Sequence, residues 1–345
     1  MASVGRGIYR SMVHGRTTIL LVAVMMVAVL FIGNTVLFTR WGAAEAVKTL
    51  FDPDSSINAI RNTIWYYRIP ESCFGLLAGM ALGMAGVEMQ TILNNPLAEP
   101  YTLGISMAAA FGAATVIAFS LGTGVLGAYS SMVMAFVCSM ATCAIIYLVA
   151  RRPSSNRTTI ILTGVALLFL FQALVNGVQS MSGRDASNAI TFWMFGNISR
   201  YTDMAYVAVL AVAVLLVGIL FAMNAWKLSA LKLGDDKASS LGVEPSKLRR
   251  NTIIGVSVVT AIAVSFTGTI GFVGLVGPHV ARMLVGDDQR FLLPLSALCG
   301  AAFLLGAAVL MKGLDLSLPI GVVTSLIGVP FFLYLLLGRR KGVGA

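Results

Sequence analysis

The sequence predicts an all-α polytopic membrane protein with about ten transmembrane helices and both termini on the cytoplasmic side. Three observations carry this. Hydrophobic residues make up 58% of the 345 residues and charged ones only 11%, less than half of the roughly 25% that a soluble domain carries. The apolar residues come in long runs: 17–38 and 204–225 hold no charge, and about 20 such residues cross the hydrocarbon core as a helix. The basic residues are unevenly divided between alternate loops, as the positive-inside rule requires.

Ten apolar segments follow, near 17–38, 63–92, 102–120, 126–150, 156–181, 204–225, 250–269, 272–285, 290–312 and 320–337. Helices satisfy their own backbone hydrogen bonds in lipid, and the alternation of a barrel strand is absent. Arg6, Arg10 and Arg16 precede the first segment, and Ala44-Glu45-Ala46 resembles a cleavage site. The run is nevertheless longer than the roughly 7–15 residues of a signal-peptide core, so it reads as a retained first helix. The second segment is long enough to begin outside the hydrocarbon, and the eighth is short.

With the N-terminus inside, one side of the membrane receives Arg6, Arg10, Arg16, Arg151, Arg152, Arg157, Lys227, Lys232, Lys237, Lys247, Arg249, Arg250, Arg282, Arg290, Arg339, Arg340 and Lys341, which is 17 of the 24 basic residues. The other side receives Arg40, Lys48, Arg61, Arg68, Arg184, Arg200 and Lys312. A net charge of +10 distributed over loops in this way is a topology signal, and it argues against a nucleic-acid groove. Two polar stretches interrupt the pattern, 40–62 outside and 227–250 inside. No linker or second domain is evident, so residues 1–345 read as a single domain.

The chemistry is as informative for what it lacks. No GxxxxGK[ST] phosphate loop is present, so the chain is not expected to hydrolyse ATP, and the want of any catalytic constellation argues against a membrane-embedded enzyme. The series Gly268, Gly271, Gly274 and Gly277 has the wrong spacing and reads as close helix packing. Cys73, Cys138, Cys143 and Cys299 lie in apolar stretches without a CxxC pair and read as small core residues. Ion-driven carriers bury ionisable groups in their helices. Here Glu88 lies late in the second segment, Asp315 near a segment end, and His14 and His279 stand alone, so neither a metal site nor a catalytic site is predicted. The reading is a carrier body without its own motor, and 227–250 is the natural contact for a partner that supplies one. Asp235 or Asp236 is suited to cap a short helix there, Gly242 to end it in the left-handed conformation, and Leu233, Leu241 and Val243 to offer an apolar face. A stand-alone ion-coupled secondary transporter is the alternative.

Five blocks then resemble a known family in its order. Arg68-Ile69-Pro70 leads through Gly79–Gly86 and Gln90 to Asn95-Pro96-Leu97-Ala98-Glu99-Pro100 and Leu103-Gly104-Ile105-Ser106. Trp193-Met194-Phe195-Gly196-Asn197 follows. Next come Leu233-Gly234-Asp235-Asp236 with Leu241-Gly242-Val243, then Gly271–Val276 with Pro278-His279 and Arg282. Leu318–Thr324 with Gly328-Val329-Pro330-Phe331-Phe332 is last. These resemble the FecCD family, the permeases of iron-siderophore, haem and vitamin B12 ABC importers.

The resemblance implies a multi-pass subunit of the bacterial inner membrane that pairs with a second permease, identical or paralogous. It implies two ATPase subunits using ATP and Mg, with no cofactor on this chain, and an extracytoplasmic substrate-binding protein that delivers the chelate. By position, Leu233, Gly234, Asp235, Asp236, Leu241, Gly242 and Val243 would couple to the ATPases. Arg61, Arg68 and Lys312 would meet the binding protein, although Glu71 and Ser317 depart from the family's charge pattern. The family's fifth and tenth helices line its pathway, which points here to 156–181 and 320–337. Gln172, Asn176 and Gln179, spaced four and three apart, would share one helix face there.

Overall fold

The computed structural model describes residues 2–54, 56–119, 127–152, 156–201 and 203–338, and all regular structure among them is helical. In chain order the helices are α1 (Ala2–Val36), α2 (Ala43–Phe51), α3 (Asn58–Asn62), a π-helical turn (Thr63–Arg68), α4 (Ile69–Leu93), α5 (Ile105–Phe119), α6 (Gly127–Ala150) and α7 (Arg157–Met181). Then follow α8 (Arg184–Met194), α9 (Met204–Met223), α10 (Ala225–Leu231), α11 (Asp235–Ser240), α12 (Pro245–Thr267), α13 (Val273–Val285), α14 (Gln289–Gly313) and α15 (Ile320–Gly338). The basic tail Arg339, Arg340 and Lys341 lies outside the described residues.

Seven helical stretches are long and apolar enough to cross a membrane, and α5, α13 and α15 are shorter apolar helices. Each of the ten predicted segments therefore falls on an apolar helix. Burial separates them into two groups. The apolar windows of Asn58–Leu93, Pro245–Thr267 and Gln289–Gly313 are 78%, 72% and 67% buried, whereas those of α1, α6, α7 and α9 are 22–33% buried. A helix apolar all round belongs either in a core or in lipid. Here α4, α12 and α14 form the core, and the other four expose Leu, Val, Ile and Met along much of their length.

Glycine allows α4 its central position. A Cβ at Gly79 would lie 2.5 Å from the Ala301 backbone, and one at Gly83 or Gly86 would meet the carbonyls of Ser296 and Gly274. Backbones approach this closely only between small residues. Gly274 and Gly277 likewise pack against α4 and α14, and Gly268 (φ 74°) packs on the Trp193 carbonyl where it makes the turn after α12, whereas Gly271 has nothing within 4 Å and does not follow the packing expectation.

Three local expectations change. The connection 182–203 contains a helix, α8, whose Ile190 and Trp193 are buried while Phe192 is exposed. The helix α12 starts at Pro245, five residues before the predicted segment, because Lys247, Arg249 and Arg250 lie on its first two turns. The short helix α11 is not capped by either aspartate: Gly234 (φ 102°) is its N-cap, and no side chain bonds there.

Candidate functional site

The stretch 227–250 folds into α10, a turn, α11 and the start of α12. The C-terminus of α11 is a Schellman motif: the Val243 N–H bonds the Ala238 carbonyl at 3.0 Å and the Gly242 N–H bonds that of Ser239 at 2.9 Å, with Gly242 at φ 80°. The predicted apolar face divides. Leu233 and Leu241 are exposed, at 58% and 50%, while Val243 is buried beside Ala238. Asp236 is exposed and Asp235 is half-buried. The Asp235 carboxylate receives Arg157 of α7 at 2.6 Å and Arg249 of α12. Arg249 also donates through Nε to the Ile92 carbonyl at 3.0 Å, in the last turn of α4. The hydrogen bond from Arg249, reinforced by the charges of both arginines, outweighs partial burial and holds the Asp235 carboxyl below its usual range.

The same end of the bundle carries two further ion networks. Asp287, between α13 and α14, pairs with Lys232 and with Arg282. Asp288 pairs with Arg290 at 2.8 Å and Arg16 at 3.5 Å. These contacts gather α1, α7, the α10–α12 turn and the α13–α14 turn at one end.

At the opposite end the predicted cations are already engaged. Lys312 sits 2.8 Å from Glu71 and 2.9 Å from the Asn34 side chain, and both members of the ion pair are largely shielded. Glu71, a departure from the family's charge pattern, is thus the partner of Lys312. Arg68 donates to the Asn34 and Phe38 carbonyls, where the end of α1 leaves acceptors unpaired. Arg61 pairs with Asp54 at 3.4 Å on the surface.

The polar residues of α7 do not act as one stripe. Gln172 bonds Asn176 at 3.0 Å on an exposed face, but Gln179 turns to α8 and bonds the Thr191 hydroxyl at 3.1 Å. Of the two helices expected to line a passage, α15 borders the larger cavity, about 890 Å³, with Gly321, Ser325 and Val329. Glu99, Tyr101, Thr269 and Phe272 are also part of its wall, and Gln172, Asn176 and Gln179 are not. A second cavity of about 670 Å³ lies beside α8, at Trp193, Arg200 and Lys312.

Sequence reasoning missed Glu99 and Arg200. The buried Glu99 shares a cavity wall with Phe272, the residue before α13. The Arg200 guanidinium stacks 5.0 Å over the Trp193 ring and bonds the Trp193 carbonyl at 3.3 Å. The block Asn95–Pro100 held Glu99 in view, but nothing local announces a neighbour 173 residues away.

Comparison with known proteins adds to this geometry. The FecCD transport family matches residues 19–338. The cobalamin import system permease protein of Halobacterium salinarum is 38% identical over 300 residues, 86% of this chain and 78% of that protein. The hemin transport system permease protein of Yersinia pestis is 36% identical, covering 84% and 87%. An Fe(3+)-citrate import system permease protein of Bacillus subtilis is 32% identical, covering 86% of each. A solved structure described as an inward-facing transporter, assigned to the metal-chelate type of ABC transporter, superposes with a TM-score of 0.81. It is 27% identical and spans 94% of this chain and 99% of its own.

Proposed function

We infer the function from one premise: the chain belongs to the FecCD transport family. Its homologues are permease subunits of ABC importers, and this chain is a multi-pass membrane permease of that type. Beyond this, we propose that it carries an iron chelate, or a haem- or cobalamin-type chelate, from an extracytoplasmic binding protein into the cytoplasm by alternating access. Two permease subunits and two ATPase subunits make up the machine, and ATP and Mg are handled by the ATPases. The membrane is the bacterial cytoplasmic membrane, and the chain crosses it ten times. The bias of 17 basic residues against seven supports placing both termini and the α11 end inside.

The observation that carries this reading is α11 itself. A six-residue helix is closed at both ends by positive-φ glycines and offers exposed Leu233 and Leu241 at the basic end of the bundle. A helix this short is too small to stand alone, so its order comes from its anchors. Such a rigid apolar knob fits a partner's pocket better than it fits water. Leu241→Asp is expected to weaken ATPase-subunit binding at least tenfold in detergent-purified components, measured by titration. Unchanged binding rejects α11 as the contact. On the opposite face Lys312 and Arg68 are engaged internally, whereas Arg61 holds a surface pair with Asp54 that a binding-protein carboxylate could replace. Arg61→Glu is expected to lower its affinity, more so at low salt, where charge steering is unscreened.

A further inference from the structure

In the segment assigned to ATPase coupling, one half-buried carboxylate is already engaged within the permease. One oxygen of the Asp235 carboxylate, Oδ1, receives both Arg157 and Arg249. Four elements meet there. Asp235 is the first residue of α11 and Arg157 the first of α7. Arg249 lies in the second turn of α12, and through Ile92 it holds the end of α4. Both arginines are more shielded than the aspartate, with side chains 28% and 12% exposed against 45%. The start of α7 is fixed independently, since the Asn156 side chain caps it through the Thr159 N–H at 2.8 Å. A displacement of α11 is therefore delivered to the first residue of α7 and, through Arg249, to α12 and α4. Leu233 and Leu241, both exposed, stand on either side of α11 in the chain.

We propose that Asp235 is a positioning residue rather than an ATPase contact: its pair with Arg157, braced by Arg249, is the joint that passes motion of α11 into α7 and the α4–α12 core. This rests on the importer reading and divides the coupling segment in two. Leu233 and Leu241 receive the force, and Asp235 transmits it. A shared charge-assisted hydrogen bond suits the task, because it is directional and stronger than a neutral one. It also holds its geometry while the short helix shifts as a body.

The test is a double-mutant cycle in the complete complex of permease, ATPase subunits and binding protein, reconstituted in proteoliposomes. Ferric citrate, haemin and cobalamin serve as uptake probes, and the ratio of probe imported to ATP hydrolysed is the readout. Asp235→Asn and Arg157→Gln are each expected to lower that ratio at least fivefold. The double variant should fall no further than either single, since the two residues form one joint. ATPase-subunit affinity should stay within twofold of the unsubstituted protein, and Arg157→Lys should keep most of the ratio. The proposal is overturned if Asp235→Asn weakens ATPase binding as Leu241→Asp does, if the two single effects multiply in the double variant, or if the ratio does not change. If Asp235→Asn fails to assemble, the comparison of Arg157→Gln with Arg157→Lys tests the same pair from α7, and equal ratios for those two reject it. Absence of ATP-dependent uptake by the unsubstituted complex rejects the importer reading, and this joint with it.

Discussion

Glu71 and Lys312 shield each other from solvent, with side chains 13% and 18% exposed. Lys312→Met removes the partner and leaves a carboxylate with little water to turn to. Breaking such a pair costs roughly 3–5 kcal/mol. The expected result is a clear loss of thermal stability in detergent, with a smaller loss for the double variant Glu71→Met/Lys312→Met. Equal losses would mean that the charge is solvated after all. Asp235 gives a pH prediction. Its folded carboxyl is held below the ordinary range, so its contribution is fully present above the unfolded value and is lost as pH falls through the folded one. Import per ATP should therefore drop on acidification below the usual carboxylate range, and Asp235→Asn should flatten that limb of the profile. An unchanged acid limb in the variant assigns the drop to another group.

At the scale of elements, the α4–α14–α13 contact depends on missing side chains. Gly86→Ala would drive a Cβ into the Gly274 carbonyl, which is backbone and cannot swing aside. Overpacking of this kind costs about 1–3 kcal/mol. Gly271→Ala, with nothing within 4 Å of the new atom, is the control. Thermal unfolding of the two purified variants should separate them, and equal midpoints would refute the packing argument. The same contact marks a limit of the sequence. Glycines in an apolar run announce a close approach, but they do not name the opposing helix. The helix α8 stayed hidden for a different reason. Its buried Ile190 and Trp193 lie among Arg184, Asp185, Ser187 and Asn188, and the stretch is too short and polar to register as a span. The helix α12 begins before the apolar run because a helix continues past the lipid on charged turns.

At the scale of the whole molecule, hydropathy was enough to locate every apolar helix, since lipid and core both demand the same composition. For that reason hydropathy alone did not distinguish α4, α12 and α14, which are buried in protein, from α1, α6, α7 and α9, which are not. The site was legible in part. Gly242 ends α11 in the left-handed conformation, as a glycine there suggests. Which carboxylate is engaged depends on Arg157 and Arg249, 78 residues back and 14 ahead in the chain, and on a fold that brings both to one oxygen. The engagement of Lys312 by Glu71 was hidden in the same way, across 241 residues. The central claim is that this bundle is a carrier whose motor lies on other chains. It is tested most directly by uptake into proteoliposomes holding the permease with its ATPase subunits and binding protein, with ferric citrate, haemin and cobalamin as probes. The account predicts uptake of one of them that requires ATP and both partners and is indifferent to proton or sodium gradients. Uptake by the permease alone, driven by an ion gradient, would contradict it.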